Sequence, residues 1–213
     1  MLQKTKELII KNIKWIILFI SLVIFISIAE DILKKEIYSI DIVTYDFVLK
    51  YLRNNALTVI LKIITNLASA FFLILMCILS FAILKQKKYS ICITLNLILV
   101  TIINIILKNI VQRPRPNEFR MIDEIGYSFP SGHSMASMAF YGLLIYFSYR
   151  YIKNKKVRII TCTLLGLLIP LIGFSRIYLG VHYTSDVIAG FLIALSYLII
   201  FTSIAPKLLK LEK

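Results

Sequence analysis

Apolar residues in this chain gather in long runs that are separated by short polar and basic stretches. Six runs are long enough, or nearly so, to cross a bilayer, which takes about 20 residues of helix. They span residues 16–28, 57–84, 89–107, 134–149, 159–174 and 187–205. The pattern predicts an all-α fold, a polytopic membrane bundle of six transmembrane helices.

The first run is short unless it starts near Ile9 and the flanking lysines reach up to the headgroups. A cleaved signal peptide is the competing interpretation, but the candidate cleavage site Ser27-Ile28-Ala29 is weak. We therefore favour an uncleaved first span, which anchors the N-terminal segment in the membrane.

Residues 30–55, between the first two spans, carry mixed charge. Their apolar residues recur every three or four positions: Ile37, Ile40, Val43, Phe47, Val48 and Tyr51. This spacing predicts a helix that lies on the membrane surface or against the bundle. An ordinary amphipathic connector accounts for the pattern, and we prefer that interpretation to a substrate gate.

Composition agrees with a membrane protein. Of the 213 residues, 59% are hydrophobic and the mean hydropathy is +0.85, whereas soluble domains are about 45–50% apolar. Cys77, Cys92 and Cys162 lie in apolar runs without metal-ligand spacing, so we interpret them as small buried hydrophobic residues. The length favours a single domain over residues 1–213.

The net charge of +14 is distributed unevenly along the chain. Fifteen of the 25 lysines and arginines lie in the N-terminal segment, the second-to-third and fourth-to-fifth connections and the C-terminal tail, which hold two of the 11 acidic residues. By the positive-inside rule, these segments and both termini are cytoplasmic in a multi-pass plasma-membrane protein. The basic excess is then mainly a topology signal, which argues against nucleic-acid binding.

The same topology places three unusual polar clusters at the extracytoplasmic face: residues 108–116, 130–133 and 175–186. The first cluster holds Lys108 and, seven residues later, Arg115 between two prolines. The ammonium group of the lysine and the planar guanidinium of the arginine together suit a tetrahedral oxyanion such as phosphate. Taken alone, a basic loop that touches lipid headgroups explains this cluster as well.

The second cluster breaks the helical pattern with proline, serine, glycine and histidine. Ser131 and the backbone at Gly132 can bind phosphoryl oxygens, because successive N–H groups at a helix start form an anion cup. His133 can act as an acid. A plain turn also explains the proline and glycine without any function.

The third cluster pairs His182 with Asp186, one helical turn further on. A carboxylate at that spacing fixes the tautomer of the histidine, which leaves the ring available as a nucleophile. Taken alone, the pair is also explained as a satisfied polar contact at a helix start. Ser175 and Arg176 precede it.

Considered together, the clusters supply the parts that phosphoryl transfer needs. Three cations suit the charge of a phosphoryl group, two histidines suit a nucleophile and a general acid, and a carboxylate orients the nucleophile. Two histidines and one aspartate among cations disfavour a metal site, and the sequence has no P-loop, dinucleotide or zinc pattern. The residues are Lys108, Arg115 and Arg176, His182 and His133, and Asp186.

These clusters resemble the signatures of the type 2 phosphatidic acid phosphatase (PAP2) superfamily of membrane phosphatases. That family carries Lys-x6-Arg-Pro, Pro-Ser-Gly-His and Ser-Arg-x5-His-x3-Asp. This chain matches all three at full spacing and in order, from Lys108 to Asp186, whereas its first hundred residues carry no such signature. The resemblance implies a six-span lipid phosphatase without a cofactor.

The resemblance also implies a role for each matched residue. His182 would attack phosphorus and form a phosphohistidine, Asp186 would orient it, and His133 would protonate the leaving oxygen and later activate water. Vanadate should mimic the phosphoryl group, and the nearby cations favour neutral histidines. The phosphoryl oxygens would be bound by Lys108, Arg115, Arg176, Ser131, Gly132 and Ser175.

The sequence thus predicts a metal-independent membrane phosphatase for a lipid phosphate or diphosphate whose chain enters laterally between spans. Candidate substrates are undecaprenyl diphosphate, phosphatidylglycerophosphate and phosphatidic acid, and an outward-facing site favours the first. A phosphotransferase with the same phosphohistidine is one alternative. A non-catalytic lipid-headgroup binding or transport protein is another, but headgroup binding alone needs no pair such as His182 and Asp186.

Overall fold

The computed structural model describes residues 2–36, 38–117 and 120–211, and the regular structure in these ranges is helical. Within them lie α1 (Leu2–Leu33), α2 (Ser39–Phe47), α3 (Asn55–Asn66), α4 (Ala70–Ile83), α5 (Lys87–Val111), α6 (Gly132–Tyr151), α7 (Lys155–Tyr178) and α8 (Thr184–Leu208), and a π-helical turn, Val48–Leu52, continues α2. The all-α prediction is confirmed. The charge asymmetry rests partly on groups outside the described residues: the side chains of Lys4, Lys6, Glu7 and Lys11, and residues Glu212 and Lys213.

Four helices in the described part are long and apolar enough to cross a membrane: α5, α7, α8 and α1 from Asn12 onward. A fifth span results if α3 and α4 are counted together. The remaining predicted span, α6, is less apolar, so the predicted number of six spans is not confirmed. Because α6 packs against α5, α7 and α8, it can carry Ser134 and Ser137, which are buried and hydrogen-bonded within the protein.

The second predicted span, residues 57–84, is bent rather than continuous. Helix α3 ends at Asn66, α4 begins at Ala70, and the two meet at 46°. The hydroxyl of Ser69 caps α4 by accepting from the Phe72 amide at 3.3 Å. The carbonyl of Leu67 accepts from the Tyr141 hydroxyl of α6 at 2.6 Å. The Ser69 cap therefore starts the second half of the span in a new direction, after the first half has ended at Asn66.

The connector between the first two spans is helical, but its apolar stripe does not make the main contact with the bundle. Val48 is buried, whereas Val43 and Tyr51 on the same predicted stripe are exposed, and Ile37 lies outside the described residues. The residue that α2 buries is Asp41, and α2 packs against α8. A charged contact therefore holds this helix on the bundle.

The hydrophobic core surrounds α6. Leu143 of α6 and Ile172 of α7 are completely buried within it. Helix α8 approaches α6 closely at Gly142, where a side-chain carbon would come within 2.5 Å of Leu198. Small residues allow such close helix pairs in membrane bundles.

Four helix ends carry the predicted site. Helix α5 ends beside Lys108, and Gln112 takes a left-handed conformation (φ 52°) that turns the chain out of the helix. Helix α6 begins at Gly132, and the hydroxyl of Ser131 caps it by accepting from a backbone amide of the first turn at 3.4 Å. Helix α7 ends two residues after Arg176, and α8 begins two residues after His182.

Candidate active site

The three polar clusters meet at one end of the bundle. A guanidinium nitrogen of Arg115 lies 3.0 Å from Nε2 of His182, which joins the first cluster to the third. The Ser131 amide donates to the Asp186 carbonyl at 3.1 Å, which joins the second to the third. A side-chain carbon at Gly190 would come within 2.9 Å of the Ser131 carbonyl, so glycine lets α8 reach this turn.

His182 is held at both ring nitrogens. Nδ1 lies 3.3 Å from Oδ2 of Asp186, and Nε2 lies 3.0 Å from Nη1 of Arg115. Because a guanidinium can only donate, Nε2 accepts, and the neutral ring carries its hydrogen on Nδ1 and donates it to the carboxylate. Burial lowers the pKa of His182 to about 4 although Asp186 opposes the shift. The ring is therefore neutral near pH 7, with its lone pair on Nε2.

Asp186 is completely buried, and different partners occupy its two oxygens. Oδ2 accepts from the Tyr183 amide at 3.0 Å in addition to His182, and Oδ1 accepts from Nη1 of Arg113 at 2.6 Å. The other terminal nitrogen of Arg113 donates to Asp41 at 2.9 Å. Burial opposes the charge of Arg113, but the two carboxylates outweigh it and raise the pKa of the guanidinium.

Sequence reasoning missed Asp41 and Arg113. Asp41 is 4% exposed, and its carboxylate also accepts from the Ser185 amide at 2.8 Å and the Ser185 hydroxyl at 2.6 Å. The available signals were weak: Asp41 interrupts an apolar stripe, and Arg113 is a second arginine two positions before Arg115. Together they tie α2 to the carboxylate that orients His182.

Two of the predicted phosphate-binding cations donate to backbone carbonyls of the loop before α6. Lys108 donates to the Tyr127 carbonyl. Arg115 donates to the carbonyls of Gly126 at 2.9 Å and Ile125 at 3.2 Å. These bonds fix both side chains in place, which is the preorganisation that an anion site needs.

Arg176, the third predicted cation, is 1% exposed. It donates to the Thr65 hydroxyl at 2.8 Å and pairs with Glu124, a loop residue that sequence reasoning missed because no spacing rule marks it. Burial opposes the charge of Glu124, but Arg176 and Arg115 outweigh it and lower the pKa of this carboxyl. The hydroxyl of Ser175 donates to a carbonyl of its own helix at 2.6 Å, so its hydrogen does not face the cup.

The second cluster forms the first turn of α6. The Ser131 hydroxyl accepts from the Ser134 hydroxyl at 2.9 Å, and a side-chain carbon at Gly132 would come within 3.0 Å of Asn104. His133 is half-buried and makes no hydrogen bond to the described residues. Across these same residues, no group of three His, Cys, Asp or Glu side chains is arranged to hold a metal ion.

Two cavities adjoin the site. A cleft of ≈ 910 Å³ between α2 and the segment after α5 reaches Arg113, Arg115 and Tyr183. A second cavity, which we call the apolar groove, has a volume of ≈ 450 Å³, and Gly132 and His133 are among its lining residues. Its walls come from α4, α5 and α6 and include Leu73, Leu97, Val100 and Ala136. One side of the site is therefore open to an apolar ligand.

Sequence comparison agrees with these motifs. Residues 89–210, more than half of the chain, match the PAP2 superfamily, and the chain belongs to this superfamily. Phosphatidylglycerophosphatase B of Bacillus subtilis is 38% identical over 98 residues, 44% of this chain and 47% of that protein. Lipid A 1-phosphatase of Rhizobium etli is 33% identical over 95 residues, 40% of this chain and 37% of that protein. The chain thus spans less than half of these curated relatives.

Solved structures share the fold. A transmembrane PAP2 type phosphatidylglycerolphosphate phosphatase from Bacillus subtilis superposes with a TM-score of 0.78 at 24% identity, over 89% of this chain and 96% of that chain. LpxE from Aquifex aeolicus superposes with a TM-score of 0.62 at 25% identity, over 80% of this chain and 96% of that chain. The family predicted from the three motifs is confirmed, and with it an integral membrane protein.

Proposed function

We propose that this protein is a metal-independent membrane phosphatase that hydrolyses a lipid phosphate through a phosphohistidine at His182. One observation carries the proposal. The His182 ring is buried and neutral, its Nδ1 hydrogen is held by Asp186, and its Nε2 lone pair lies 3.0 Å from Arg115. This arrangement presents a nucleophile beside a group that binds phosphoryl oxygens.

In the first step, Arg115 transfers its hydrogen bond from Nε2 of His182 to a phosphoryl oxygen, which frees the Nε2 lone pair. Nε2 then attacks phosphorus, and an N–P bond forms while the bond to the leaving oxygen breaks. Asp186 stabilises the positive charge that the His182 ring acquires. His133 acts in its protonated form, which the negative charge of the bound phosphoryl group favours, and gives a proton to the leaving oxygen. In the second step, water attacks phosphorus and loses a proton to His133. The N–P electron pair returns to His182, and inorganic phosphate leaves.

Charge stabilisation comes from the cup around the phosphoryl group. Three cations offset its negative charge, while the start of α6 contributes backbone N–H groups and its positive dipole end. Two hydroxyls add hydrogen bonds, one of which must first turn away from the carbonyl that it contacts on its own helix. The residues are Lys108, Arg115 and Arg176, Gly132, and the hydroxyls of Ser131 and Ser175.

The apolar groove supports a lipid as the leaving group. It is lined in part by His133, the residue proposed to protonate the leaving oxygen, so the apolar part of the substrate would lie on that side of the phosphorus. The relatives named above make phosphatidylglycerophosphate the first substrate to test, beside undecaprenyl diphosphate and phosphatidic acid.

We place the site at the extracytoplasmic face of the plasma membrane, with both termini cytoplasmic, because of the charge asymmetry between the two sets of connections. Single cysteines test this topology with a membrane-impermeant thiol reagent on whole cells. Asp123→Cys should react and Lys153→Cys should not, and both positions are exposed. The opposite labelling pattern would invert the proposed orientation.

Phosphate release in detergent with EDTA present tests the activity. The panel holds the three lipids and a soluble phosphate ester, each with wild type and His182→Ala. Release by wild type alone, with an acid-labile phosphate label on the protein, supports the phosphohistidine. Transfer of phosphate to an added alcohol in place of water would instead identify a phosphotransferase, and equal release by the variant would remove His182 as the nucleophile.

A further inference from the structure

Residues 124–127, in the loop before α6, provide an acceptor for every cation of the proposed phosphate cup. Each cation uses a different part of this segment: Lys108 bonds to the Tyr127 carbonyl, Arg115 to the carbonyls of Ile125 and Gly126, and Arg176 to the Glu124 carboxylate. This loop segment therefore contacts every cation of the cup in this structure.

Glu124 differs from the other acceptors of the segment because it carries a charge. One of its oxygens pairs with Arg176, and the other lies 3.9 Å from Nη2 of Arg115. Carboxylate and phosphoryl oxygens bind to the same guanidinium donors with similar geometry. Glu124 thus occupies donors that a bound phosphoryl group needs.

A carboxylate and a phosphoryl group cannot share these two arginines without strong repulsion, because the site is largely shielded from water. Of the two partners in the ion pair, Arg176 is enclosed by the protein, whereas Glu124 borders solvent. The side chain of Arg176 is 1% exposed, whereas that of Glu124 is 26% exposed. Gly126, two residues further, takes a positive φ of 78° in open space, which gives the loop a backbone position that can change conformation.

We propose that Glu124 is a displaceable counter-ion of the phosphate cup: the phosphoryl group of the substrate displaces it from Arg176 and Arg115, and its return weakens the binding of inorganic phosphate. This inference rests on the proposed function, since it assigns the same cup to phosphate. An active site with three cations would otherwise bind its own anionic product tightly. Glu124 competes with that product and so assists its release.

Titration calorimetry of the full chain in detergent, with inorganic phosphate as the ligand, tests this inference without any turnover. Glu124→Gln keeps an oxygen that can accept from Arg176 but removes the charge. It should bind phosphate about tenfold more tightly than wild type, the change expected when a charged competitor for the same donors is lost. Glu124→Ala should shift the affinity in the same direction, and it provides the test if the glutamine variant does not fold.

The matched control is Asp123→Asn, which removes the same charge one residue earlier from an exposed side chain. Its phosphate affinity should equal that of wild type. Arg176→Ala should lose phosphate binding, and this loss would show that the phosphate measured by calorimetry binds in the cup. Unchanged or weaker binding in the Glu124 variants would overturn the proposal, as would full binding by Arg176→Ala. A wild type that binds phosphate in this way but hydrolyses no lipid phosphate would contradict the proposed function instead.

Discussion

The two histidines of the site have opposite surroundings: one is held by hydrogen bonds to described residues and the other is not. His182, in the turn between α7 and α8, is 3% exposed and contacts a partner at each ring nitrogen. His133, in the first turn of α6, makes no hydrogen bond to any described residue and lines the apolar groove. A nucleophile must point one lone pair in a fixed direction, whereas an acid–base group must exchange protons with two different partners. The surroundings therefore match the proposed division of work.

The largest expected effect comes from removing the imidazole of His182. His182→Ala should reduce turnover by about 10³-fold or more, because no other group in the cup can take the phosphoryl group. Acid-labile protein phosphate should disappear with it. Phosphate release and quench labelling measure both quantities, and a variant that keeps the label would place the covalent intermediate elsewhere.

His133→Ala should show an effect that depends on the leaving group, unlike His182→Ala. Turnover of a lipid phosphate should fall by about 10²- to 10⁴-fold, because a poor leaving group needs a proton. The first step with 4-nitrophenyl phosphate should be nearly unaffected, because its leaving oxygen needs none. Stopped-flow release of nitrophenol checks this, and an equal loss with both substrates would show that His133 is not the acid.

The pH profile should sharpen the contrast further. The pKa of His182 is lowered from 6.5 to about 4, and only the neutral ring has a lone pair. Its contribution to kcat/KM is thus complete above pH 5 and should fall tenfold for each pH unit below about 4. The measurement is best made with His133→Ala and 4-nitrophenyl phosphate, because this variant has no second histidine that could contribute to the pH profile. A fall centred near pH 6.5 in that variant would contradict the buried, neutral state of His182.

A smaller effect is expected at Asp41, which touches neither histidine. Asp41→Asn removes one of the two carboxylates that hold Arg113, so Asp186 should orient His182 less firmly. We expect kcat to fall roughly tenfold, as for other supporting partners of functional groups, with KM nearly unchanged. Asp46→Asn, an exposed acid on the same helix, is the control. Equal effects of the two variants, or a change in KM alone, would remove Asp41 as a positioning residue.

Much of the site could be predicted because its residues lie at short, fixed spacings beside helix ends. His182 and Asp186 are four residues apart, and this spacing predicts their contact. The contact forms although His182 lies just before α8, because the Asp186 side chain reaches back over the start of that helix. The apolar runs likewise predict the helices, although α6 shows that an enclosed helix need not be apolar enough to look like a span. The break between α3 and α4 was not predicted, because a serine cap such as Ser69 is a weak signal within an apolar run.

The residues that sequence reasoning missed have partners far away along the chain. Asp41 and Ser185 are 144 residues apart, Arg113 and Asp186 are 73 apart, and Glu124 and Arg176 are 52 apart. No local pattern distinguishes such an acid from one that faces water, because the pairing exists only once the helices have packed. Tertiary packing therefore decides which charges belong to the site.

The bend between α3 and α4 has a consequence for the surrounding bilayer. A broken helix in hydrocarbon normally exposes carbonyl oxygens that lipid cannot satisfy. Here four consecutive carbonyls that lead into the bend have donors: Ile64 bonds to the Leu67 amide, Thr65 to Ala68, Asn66 to Ser69, and Leu67 to the Tyr141 hydroxyl. Ala68 and Ala70, on either side of the bend, line the apolar groove. These bonds let the span bend inside the hydrocarbon while those four carbonyls stay satisfied, beside the groove that we propose for the lipid chain.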